Sequence, residues 1–337
     1  MSCDDNMPFL SDRYGRRLTY LRLSVTDRCN LRCVYCVPQA DFSLFPHEEI
    51  LTFEEIVSVC HAFAIAGTKK IRLTGGEPLV RRDILRLAES IVRIEGIEKV
   101  CLTTNGTRLV EYASGLHEIG VRHINVSLDT LKREKFMRIT GRDEFDKVWR
   151  GLELLVDKGF SPIKVNFVVM KGINDDEIAD MAGLAREYPF DIRFIEFMQV
   201  GKGSAWTPSS FIGSDDVRKL IEQSFAEKLL PCNHNKCSGP ATMFKFRGWA
   251  GRIGFISPLS NHFCHACNRI RMTPDGKLRL CLFSDKEMDM KSLVRKGAGS
   301  DELVSFIRSA VLAKPENYNE AGAGAPSCNR RMSKIGG

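Results

Sequence analysis

The stretch Cys29-Asn-Leu-Arg-Cys33-Val-Tyr-Cys36 comes shortly after a β-rich run at residues 20–25 and places three thiols in one loop. Closely spaced thiolates can hold a cubane iron–sulfur cluster. Such a cluster normally takes four cysteines, so three with no obvious fourth nearby leave one iron open to a small ligand. Zinc is the alternative, but this spacing is unusual for zinc and lacks a fourth ligand. We therefore expect an iron–sulfur cluster in this loop.

Further β-rich runs follow the first one, and each is followed by a helical pattern. This alternation predicts strand–helix units and a parallel sheet over the first two-thirds of the chain. The predicted strands are residues 20–25, 70–74, 99–104, 123–128, 163–169 and 191–197. The predicted helices include residues 52–66, 81–94, 144–158 and 175–187, the first with Thr52 as its cap and Glu55 three residues later.

The pattern of strand–helix units breaks after Val200. We expect a loop at residues 201–204, a helix at 214–228, a hairpin at 248–256 and a helix at 301–312, which together predict a separate cap. The segment from Lys314 is rich in Ala, Gly, Asn and Pro and ends in Gly336-Gly337, so it predicts a mobile tail unless it docks. The expected domains are therefore residues 1–200, 201–313 and 314–337.

The composition is that of a globular protein, with 43% hydrophobic and 27% charged residues among 337. No export signal and no apolar run of about 18 residues is found, so we expect a cytoplasmic protein without a membrane span. The net charge of +7 is scattered and fits an anionic small molecule as well as a weak nucleic-acid contact. Twelve cysteines in a reducing compartment favour metal or redox chemistry over disulfides.

A second set of cysteines lies in the predicted cap, in Cys264-His-Ala-Cys267-Asn-Arg269-Ile-Arg271 with Cys281 beyond. The spacing alone is ambiguous, because His262 and His265 nearby could complete a structural zinc ribbon. Arg269 and Arg271 lie on alternate residues of a predicted strand and hence on one face. Guanidinium groups there suit phosphate or purine edges, although a solvated strand face is the simpler reading.

The first cysteine motif, with an aromatic residue before its last cysteine, resembles the signature of the radical S-adenosylmethionine (SAM) superfamily. Gly75-Gly76-Glu77-Pro78, after the second strand, resembles that superfamily's contact with the methionyl amino group of SAM. The run of residues 261–283 closely resembles the GTP 3′,8-cyclase family of molybdenum cofactor biosynthesis, and the resemblance spans nearly the whole chain. The double glycine at residues 336–337 is similar to the family's tail, which reaches into the active site.

This resemblance implies an incomplete (βα)6 TIM-like barrel with a C-terminal cap region that carries a second cluster. It implies two [4Fe-4S] clusters and SAM as cofactors. The implied reaction converts GTP to (8S)-3′,8-cyclo-7,8-dihydroguanosine 5′-triphosphate through a deoxyadenosyl radical that abstracts H3′ of the ribose. The implied partners are a reductant such as flavodoxin or ferredoxin, the downstream cyclic pyranopterin monophosphate synthase and a second copy in a homodimer, with no nucleic acid and no membrane.

The resemblance also implies roles for individual residues. The SAM contacts would be Tyr35, Gly76, Glu77, Ser127 and Met198. The GTP contacts would be Arg22, Arg72, Thr103, Lys164, Arg193, Arg269 and Arg271. The first cluster would be held by Cys29, Cys33 and Cys36, the second by Cys264, Cys267 and Cys281, and catalysis would also need Arg269, Arg271, Gly336 and Gly337. Independently of the resemblance, Arg22, Arg72, Lys164 and Arg193 interrupt apolar strands, and buried cations need partners such as a polyanion.

Polar residues at strand ends give a second indication of a site. The segments are 103–106, 127–129 and 196–198, and in a parallel barrel they would converge with the cysteine loop. Plain capping of the strand ends is the alternative for each of them.

Two other functions stay open on the sequence. One is a radical enzyme that modifies a peptide, which the Arg-x-Arg pair and the double glycine disfavour. The other is a zinc-bound nucleic-acid-binding protein. The segment from Cys232 to Cys237 could form a small metal site but is better read as a surface loop, while Cys60 and Cys101 should pack in the core and Cys3 and Cys328 should lie in mobile termini.

Overall fold

The structure, a computed structural model, describes residues 9–36, 43–201, 205–232, 239–321 and 328–336. Its strands form one sheet with the order β12-β11-β10-β1-β2-β3-β4-β5-β6-β9-β8-β7. The strands are β1 (Tyr20–Ser24), β2 (Lys70–Thr74), β3 (Lys99–Thr104), β4 (His123–Ser127), β5 (Ile163–Val169), β6 (Phe190–Glu196), β7 (Leu230–Pro231), β8 (Thr242–Lys245), β9 (Arg252–Ile256), β10 (Arg269–Met272), β11 (Lys277–Arg279) and β12 (Met288–Asp289).

The helices connect these strands and cover the sheet. They are α1 (Phe53–Ile65), α2 (Ile84–Val92), α3 (Leu109–Glu118), α4 (Arg133–Thr140), α5 (Phe145–Asp157), α6 (Ile178–Glu187), α7 (Ser214–Ser224), α8 (Lys291–Arg295), α9 (Ser300–Val311), α10 (Tyr318–Ala321) and α11 (Met332–Ile335). Among the described residues, no helix is both long enough and apolar enough to cross a membrane.

The first six strands pair in chain order, and every neighbouring pair from β1 to β6 is parallel. Parallel neighbours need a crossover connection, which the intervening helices provide. The predicted strands are confirmed to within one residue at each end. Helix α1 begins as predicted, because the Thr52 hydroxyl accepts a hydrogen bond from the Glu55 N–H and the Glu55 carboxylate accepts one from the Thr52 N–H. Helix α3 is the helical pattern expected after β3, whereas α4 is an additional helix before the predicted helix 144–158.

The strands of the C-terminal third belong to the same sheet as the first six. Its strand β10 pairs in parallel with β1, and β9 pairs in parallel with β6, so both edges of the six-stranded parallel sheet are extended. An edge strand carries a row of unpaired backbone groups, and the added strands satisfy them. The chain after Val200 therefore completes the sheet that the chain before it begins.

Two predicted elements of the C-terminal third have different limits in the structure. The predicted helix 214–228 ends at Ser224 because Ala226 adopts a positive φ of 50°, which turns the chain back towards β7. The predicted hairpin 248–256 is instead the antiparallel pair of β8 and β9. The turn between them passes so close to β6 that a Cβ on Gly251 would lie 2.2 Å from the Phe190 carbonyl oxygen.

The end of the chain docks against the rest of the protein over residues 328–336. Ile335 is fully buried, and Cys328, predicted to lie in a mobile terminus, is also buried. The guanidinium of Arg330 donates two hydrogen bonds to the carboxylate of Asp275. Gly337, Cys3, Cys237 and residues 202–204 lie outside the described residues, so the predictions made for them stay predictions.

Candidate active site

A cavity of about 340 Å³ is enclosed by the inner faces of the strands and by the loops at both of their ends. Nearly all of the predicted site residues line it. They are Arg22, Cys29, Cys33, Tyr35, Cys36, Arg72, Gly76, Glu77, Thr103, Ser127, Lys164, Arg193, Met198, Cys264, Cys267, Arg269, Arg271 and Cys281. Gly336 lies beside the cavity, where its carbonyl oxygen accepts a hydrogen bond of 2.6 Å from Arg271.

The two cysteine sets lie at opposite ends of this cavity. Strands β1 and β10 are parallel, with Tyr20 paired to Arg269. The first set follows the carboxyl end of β1, whereas Cys264 and Cys267 precede the amino end of β10. One five-residue strand therefore separates the two sets, which is on the order of 16 Å at about 3.3 Å per residue.

The cysteines of the first set are partly buried and have few neutralising groups around their thiols. Burial raises the pKa of Cys29 to about 11 and that of Cys36 to about 12. The sulfur of Cys29 accepts a hydrogen bond from the Leu31 N–H at 3.4 Å, and the Asn105 amide lies 3.7 Å from it. Buried thiolates need a positive partner, and the irons of a cluster would provide it.

A single metal ion and an iron–sulfur cluster place different demands on such thiols. Within the described parts of the chain, no three His, Cys, Asp or Glu side chains surround one point as the ligands of a single ion would. In a four-iron cluster each thiolate binds a different iron, so the sulfurs stand farther apart. Three thiols at one cavity end, with N–H donors near one sulfur, suit the cluster by the chemistry of the donor set.

The glycine pair after β2 runs against the loop that leads to Cys29. The N–H of Gly76 donates to the carbonyl of Thr26 at 2.7 Å, and the N–H of Glu77 donates to that of Arg28 at 2.8 Å. A Cβ at position 76 would lie 2.4 Å from the Arg28 carbonyl oxygen, so only glycine permits this approach. The pairing of β1 with β2 thus continues into the loops and fixes their relative position.

The carboxylate of Glu77 ends this glycine segment inside the cavity. It accepts hydrogen bonds from the Leu79 N–H at 3.0 Å, the Thr104 hydroxyl at 2.7 Å and the Asn105 N–H at 2.6 Å. Burial raises the pKa of Glu77 to about 7 despite these donors. A cationic ligand group beside it would favour the ionised carboxylate.

Tyr35, next to the last cysteine of the first set, is held by a strand-end residue. Its hydroxyl donates to Asp129 Oδ2 at 2.5 Å, and Asp129 Oδ1 accepts from the Val168 N–H at 2.8 Å. Burial raises the pKa of Asp129 to about 6. The predicted convergence of strand ends is therefore found for Asp129, Ser127 and Met198, all of which line the cavity.

Glu196, another strand-end candidate, is used differently. Its buried carboxylate accepts hydrogen bonds from the backbone and hydroxyl of Ser214 and from the backbone N–H groups of Leu259 and Ser260, as well as from the Ser260 hydroxyl. It does not line the cavity. For Glu196 the alternative of capping is therefore correct, because its carboxylate accepts hydrogen bonds both from the start of helix α7 and from the loop after β9.

A row of arginines crosses the middle of the cavity between the two cysteine sets. Arg271, Arg22 and Arg72 occupy directly paired positions on β10, β1 and β2. Like charges at opposed positions of a sheet destabilise it. Arg72 is held by hydrogen bonds to the Tyr20 hydroxyl at 2.6 Å and the Leu102 carbonyl at 2.7 Å. Such a row suits a bound polyanion.

Two more cations extend this row along β5 and β6. Burial, together with Arg193 and Arg72, lowers the pKa of Lys164 to about 7, and burial lowers that of Arg193 to about 10. Burial, reinforced by the charges of Arg22 and Arg269, holds the pKa of Arg271 well below its usual range. An anionic ligand would reverse each of these shifts, because it favours the charged form.

The second cysteine set differs from the first in its electrostatics. Burial acts to raise the pKa of Cys267, but Arg269 and Lys314 outweigh it and lower the pKa to about 6. The guanidinium of Arg269 lies 3.6 Å from the Cys267 sulfur. Lys314 is itself fixed by the Arg269 carbonyl at 2.9 Å and the Leu280 carbonyl at 2.5 Å. The positive charges at this end of the cavity stabilise the thiolate form of Cys267.

Comparison with known proteins gives two family models that together cover most of the chain. The Radical SAM superfamily model matches residues 23–185, and the Molybdenum Cofactor Synthesis C model matches residues 190–320. The GTP 3′,8-cyclase of Thermodesulfovibrio yellowstonii is 45% identical over 97% of this chain and 100% of its own length. That of Pelotomaculum thermopropionicum is 42% identical over 97% and 100%. The chain belongs to the GTP 3′,8-cyclase family.

Solved structures agree with this family assignment at the level of the fold. Streptococcus suis SuiB bound to S-adenosylmethionine superimposes with a TM-score of 0.59 at 16% identity, over 96% of this chain and 79% of that one. Native anSMEcpe with bound AdoMet gives 0.58 at 15% identity, over 90% and 82%. Members of the GTP 3′,8-cyclase family use SAM and [4Fe-4S] clusters, and the cysteine sets of this chain are consistent with that use.

Sequence reasoning missed several residues that line this family member's cavity, among them Tyr20, Lys70 and Lys314. Tyr20 and Lys70 each stand two residues before a predicted contact, Arg22 and Arg72. Because side chains alternate along a strand, both face the cavity, and this signal was available. Lys314 gave no such signal, since it falls where the predicted tail begins.

Proposed function

We propose that this chain converts GTP to (8S)-3′,8-cyclo-7,8-dihydroguanosine 5′-triphosphate, the first step of molybdenum cofactor biosynthesis. One observation carries the proposal: a single cavity has a cysteine set at each end and a buried row of cations between them. One end suits a radical-generating cofactor, and the middle suits a triphosphate. A nucleoside triphosphate explains both features together.

The architecture that we propose for this function is an incomplete (βα)6 barrel with a cap region. Residues 1–200 would form the barrel, residues 201–313 the cap with the second cluster, and residues 314–337 the tail ending in Gly336-Gly337. The chain-ordered parallel strands β1 to β6 support the barrel. The position of the second cysteine set at the amino end of β10 supports the cap as the floor of the cavity.

When bound at Cys29, Cys33 and Cys36, the first cluster and SAM supply the deoxyadenosyl radical that removes H3′ from the GTP ribose. The chain's task is to hold SAM at this end of the cavity. Glu77 would receive the methionyl ammonium group, since its carboxylate is already oriented by its three hydrogen-bond donors. Gly76, Tyr35, Ser127 and Met198 would line the rest of the SAM site.

The triphosphate of GTP would lie on the cation row. Arg22, Arg72, Lys164 and Arg193 would neutralise it, and Thr103 would add a hydroxyl contact. This arrangement needs no phosphate-binding loop of the Walker type, and the sequence has none. It also suits a reaction in which the phosphates are held and not cleaved.

The guanine would lie at the other end, towards Cys264, Cys267 and Cys281, which would hold the second cluster. Arg269 and Arg271 lie between this end and the triphosphate. The ribose, which joins the guanine to the triphosphate, would then have to turn its H3′ face towards the SAM end, where the radical forms. Gly336, and with it Gly337, would help to close the cavity, because Gly336 packs between Ser24 and Thr74 and contacts Arg271.

Exclusion of water is the chain's remaining contribution. A radical able to break a ribose C–H bond would also react with solvent or exposed side chains. The cavity is lined by strand ends, by Pro258 in the loop after β9 and by Met332 of the docked segment 328–336. We also propose a cytoplasmic location, a homodimer, a flavodoxin or ferredoxin as reductant, and cyclic pyranopterin monophosphate synthase as the enzyme that takes the product.

The experiment that tests this function is anaerobic incubation of the iron-loaded protein with GTP, SAM and dithionite. We expect 5′-deoxyadenosine and a cyclised GTP derivative in equal amounts, identified by mass spectrometry. Omission of SAM or of GTP should each abolish the derivative. Deoxyadenosine without any modified GTP would defeat the cyclase assignment and leave a radical enzyme with another substrate.

A further inference from the structure

A second, smaller cavity lies on the other side of the first cysteine loop. It has a volume of about 190 Å³ and is lined by Asp27, Arg28, Cys29, Arg32, Ser43, Leu44, Arg331, Ser333 and Lys334. We call it the outer crevice. Cys29 lines both the outer crevice and the main cavity. The iron–sulfur centre that Cys29 would hold can thus be approached from two sides.

The outer crevice is strongly basic. Among the described residues that line it, Asp27 is the one carboxylate, and four are cations, Arg28, Arg32, Arg331 and Lys334. That carboxylate is engaged internally, because it accepts from the Phe45 N–H at 2.6 Å and lies 3.5 Å from the Arg28 guanidinium. The crevice therefore presents an excess of positive charge beside a cysteine.

Several of these residues are accessible from outside. The side chain of Arg28 is 31% exposed, and Ser43 and Leu44 are exposed. The ammonium of Lys334 rests 3.2 Å from the Ser43 hydroxyl and 4.4 Å from the centre of the Phe45 ring. The surface of a second protein could therefore contact these residues from outside the crevice.

The two sides of Cys29 have different occupants if the proposed function is correct. SAM and GTP fill the main cavity during turnover, so that side is closed to a protein. Each turnover nevertheless needs two electrons from outside the chain, one to cleave SAM and one, with a proton, to reduce the radical left on the cyclised nucleotide. The outer crevice is the side on which an electron donor can approach Cys29 while both small molecules are bound.

We propose that the outer crevice is the docking site of an acidic one-electron donor protein, which contacts Arg28 and Lys334 and reduces the centre held by Cys29, Cys33 and Cys36. This inference rests on the proposed function. The donor loses one electron and the centre gains one, and no bond or proton is transferred in the step. Positive charge around the crevice would attract an acidic partner and set its orientation.

The test compares a protein donor with a chemical one in Arg28→Glu and Lys334→Glu variants, with Lys245→Glu as the matched control. Lys245 is exposed on β8, which lies next to the edge strand β7 and away from β1 in the strand order. Reduced flavodoxin serves as the protein donor and dithionite as the chemical donor. With flavodoxin at low salt, both crevice variants should lose at least tenfold in turnover rate, whereas with dithionite they should match the unaltered protein.

Direct binding gives a readout that is independent of activity. The affinity of flavodoxin for the unaltered protein, measured by sedimentation, should fall with added salt and should be at least tenfold weaker in both crevice variants but unchanged in the control. Equal loss with flavodoxin and dithionite would overturn the docking proposal, as would unchanged flavodoxin binding. Failure of the unaltered protein to cyclise GTP with dithionite would instead count against the proposed function.

Discussion

Lys164 provides a test of whether the cation row binds the triphosphate. It is buried beside Arg193 and Arg72, and burial with these two charges lowers its pKa to about 7. At pH 8 the free protein would therefore hold this lysine mostly neutral. A triphosphate needs the ammonium form, so binding should draw one proton from solution.

The size of the effect follows from the pKa. Above pH 7, protonation of Lys164 costs about 1.4 kcal/mol per pH unit, which is roughly a tenfold loss of GTP affinity per unit. Arginine keeps its charge throughout this range. In Lys164→Arg the affinity for GTP should therefore vary less steeply with pH, whatever its absolute value.

The lowered pKa of Lys164 also affects the stability of the fold. Because the folded pKa lies below the unfolded one, Lys164 destabilises the fold increasingly as pH falls from about 10 to 7.

The assay is anaerobic isothermal titration of GTP into the protein between pH 7.5 and 8.5, in two buffers that differ in ionisation enthalpy. The unaltered protein should take up nearly one proton more than Lys164→Arg at pH 8. Tyr20, whose pKa the cations Arg72, Arg22 and Lys70 lower to about 8 against the effect of burial, titrates in both proteins and cancels in the difference. Parallel affinity profiles and equal proton uptake would refute the assignment of Lys164 to the triphosphate site.

Three other substitutions probe the site and its support. Cys281→Ser should keep reductive SAM cleavage but lose cyclised product, measured by deoxyadenosine and product yields; normal product formation would argue against a substrate role for the second set. Gly76→Ala, with its Cβ 2.4 Å from a carbonyl oxygen, should lose SAM binding, whereas Gly183→Ala, whose nearest neighbour is 3.8 Å away, should bind SAM normally. Glu196→Ala should lower the free energy of unfolding by about 3 kcal/mol, because it orphans several buried donors; an unchanged urea midpoint would contradict this.

The sequence predicted well those features that depend on local pattern. Arg22 and Arg72 stood out as cations that interrupt apolar strands, and the helical pattern after each run identified most of the crossovers. The cysteine loop and the glycine pair were recognisable because each lies within a few residues of a strand end. The contact of Gly76 with the loop before Cys29 then follows from the pairing of β1 with β2.

Features that depend on long-range pairing could not be predicted in the same way. Nothing local in residues 269–272 indicates that this strand lies beside β1, yet that pairing places Cys267 at the far end of the cavity and aligns Arg271 with Arg22. Lys314 reaches Cys267 only because the chain returns after α9. The use of Glu196 as a cap was also invisible, since its donors come from residues 214, 259 and 260.

The central claim is that SAM and GTP occupy the two ends of one cavity, with the ribose directed at the SAM end. The most direct measurement is deuterium transfer from GTP labelled at C3′ into 5′-deoxyadenosine, followed by mass spectrometry during a single anaerobic turnover. We expect one deuterium in the deoxyadenosine and none at the C3′ position of the cyclised product. Unlabelled deoxyadenosine alongside cyclised product would contradict it, because the radical would then have taken its hydrogen from elsewhere.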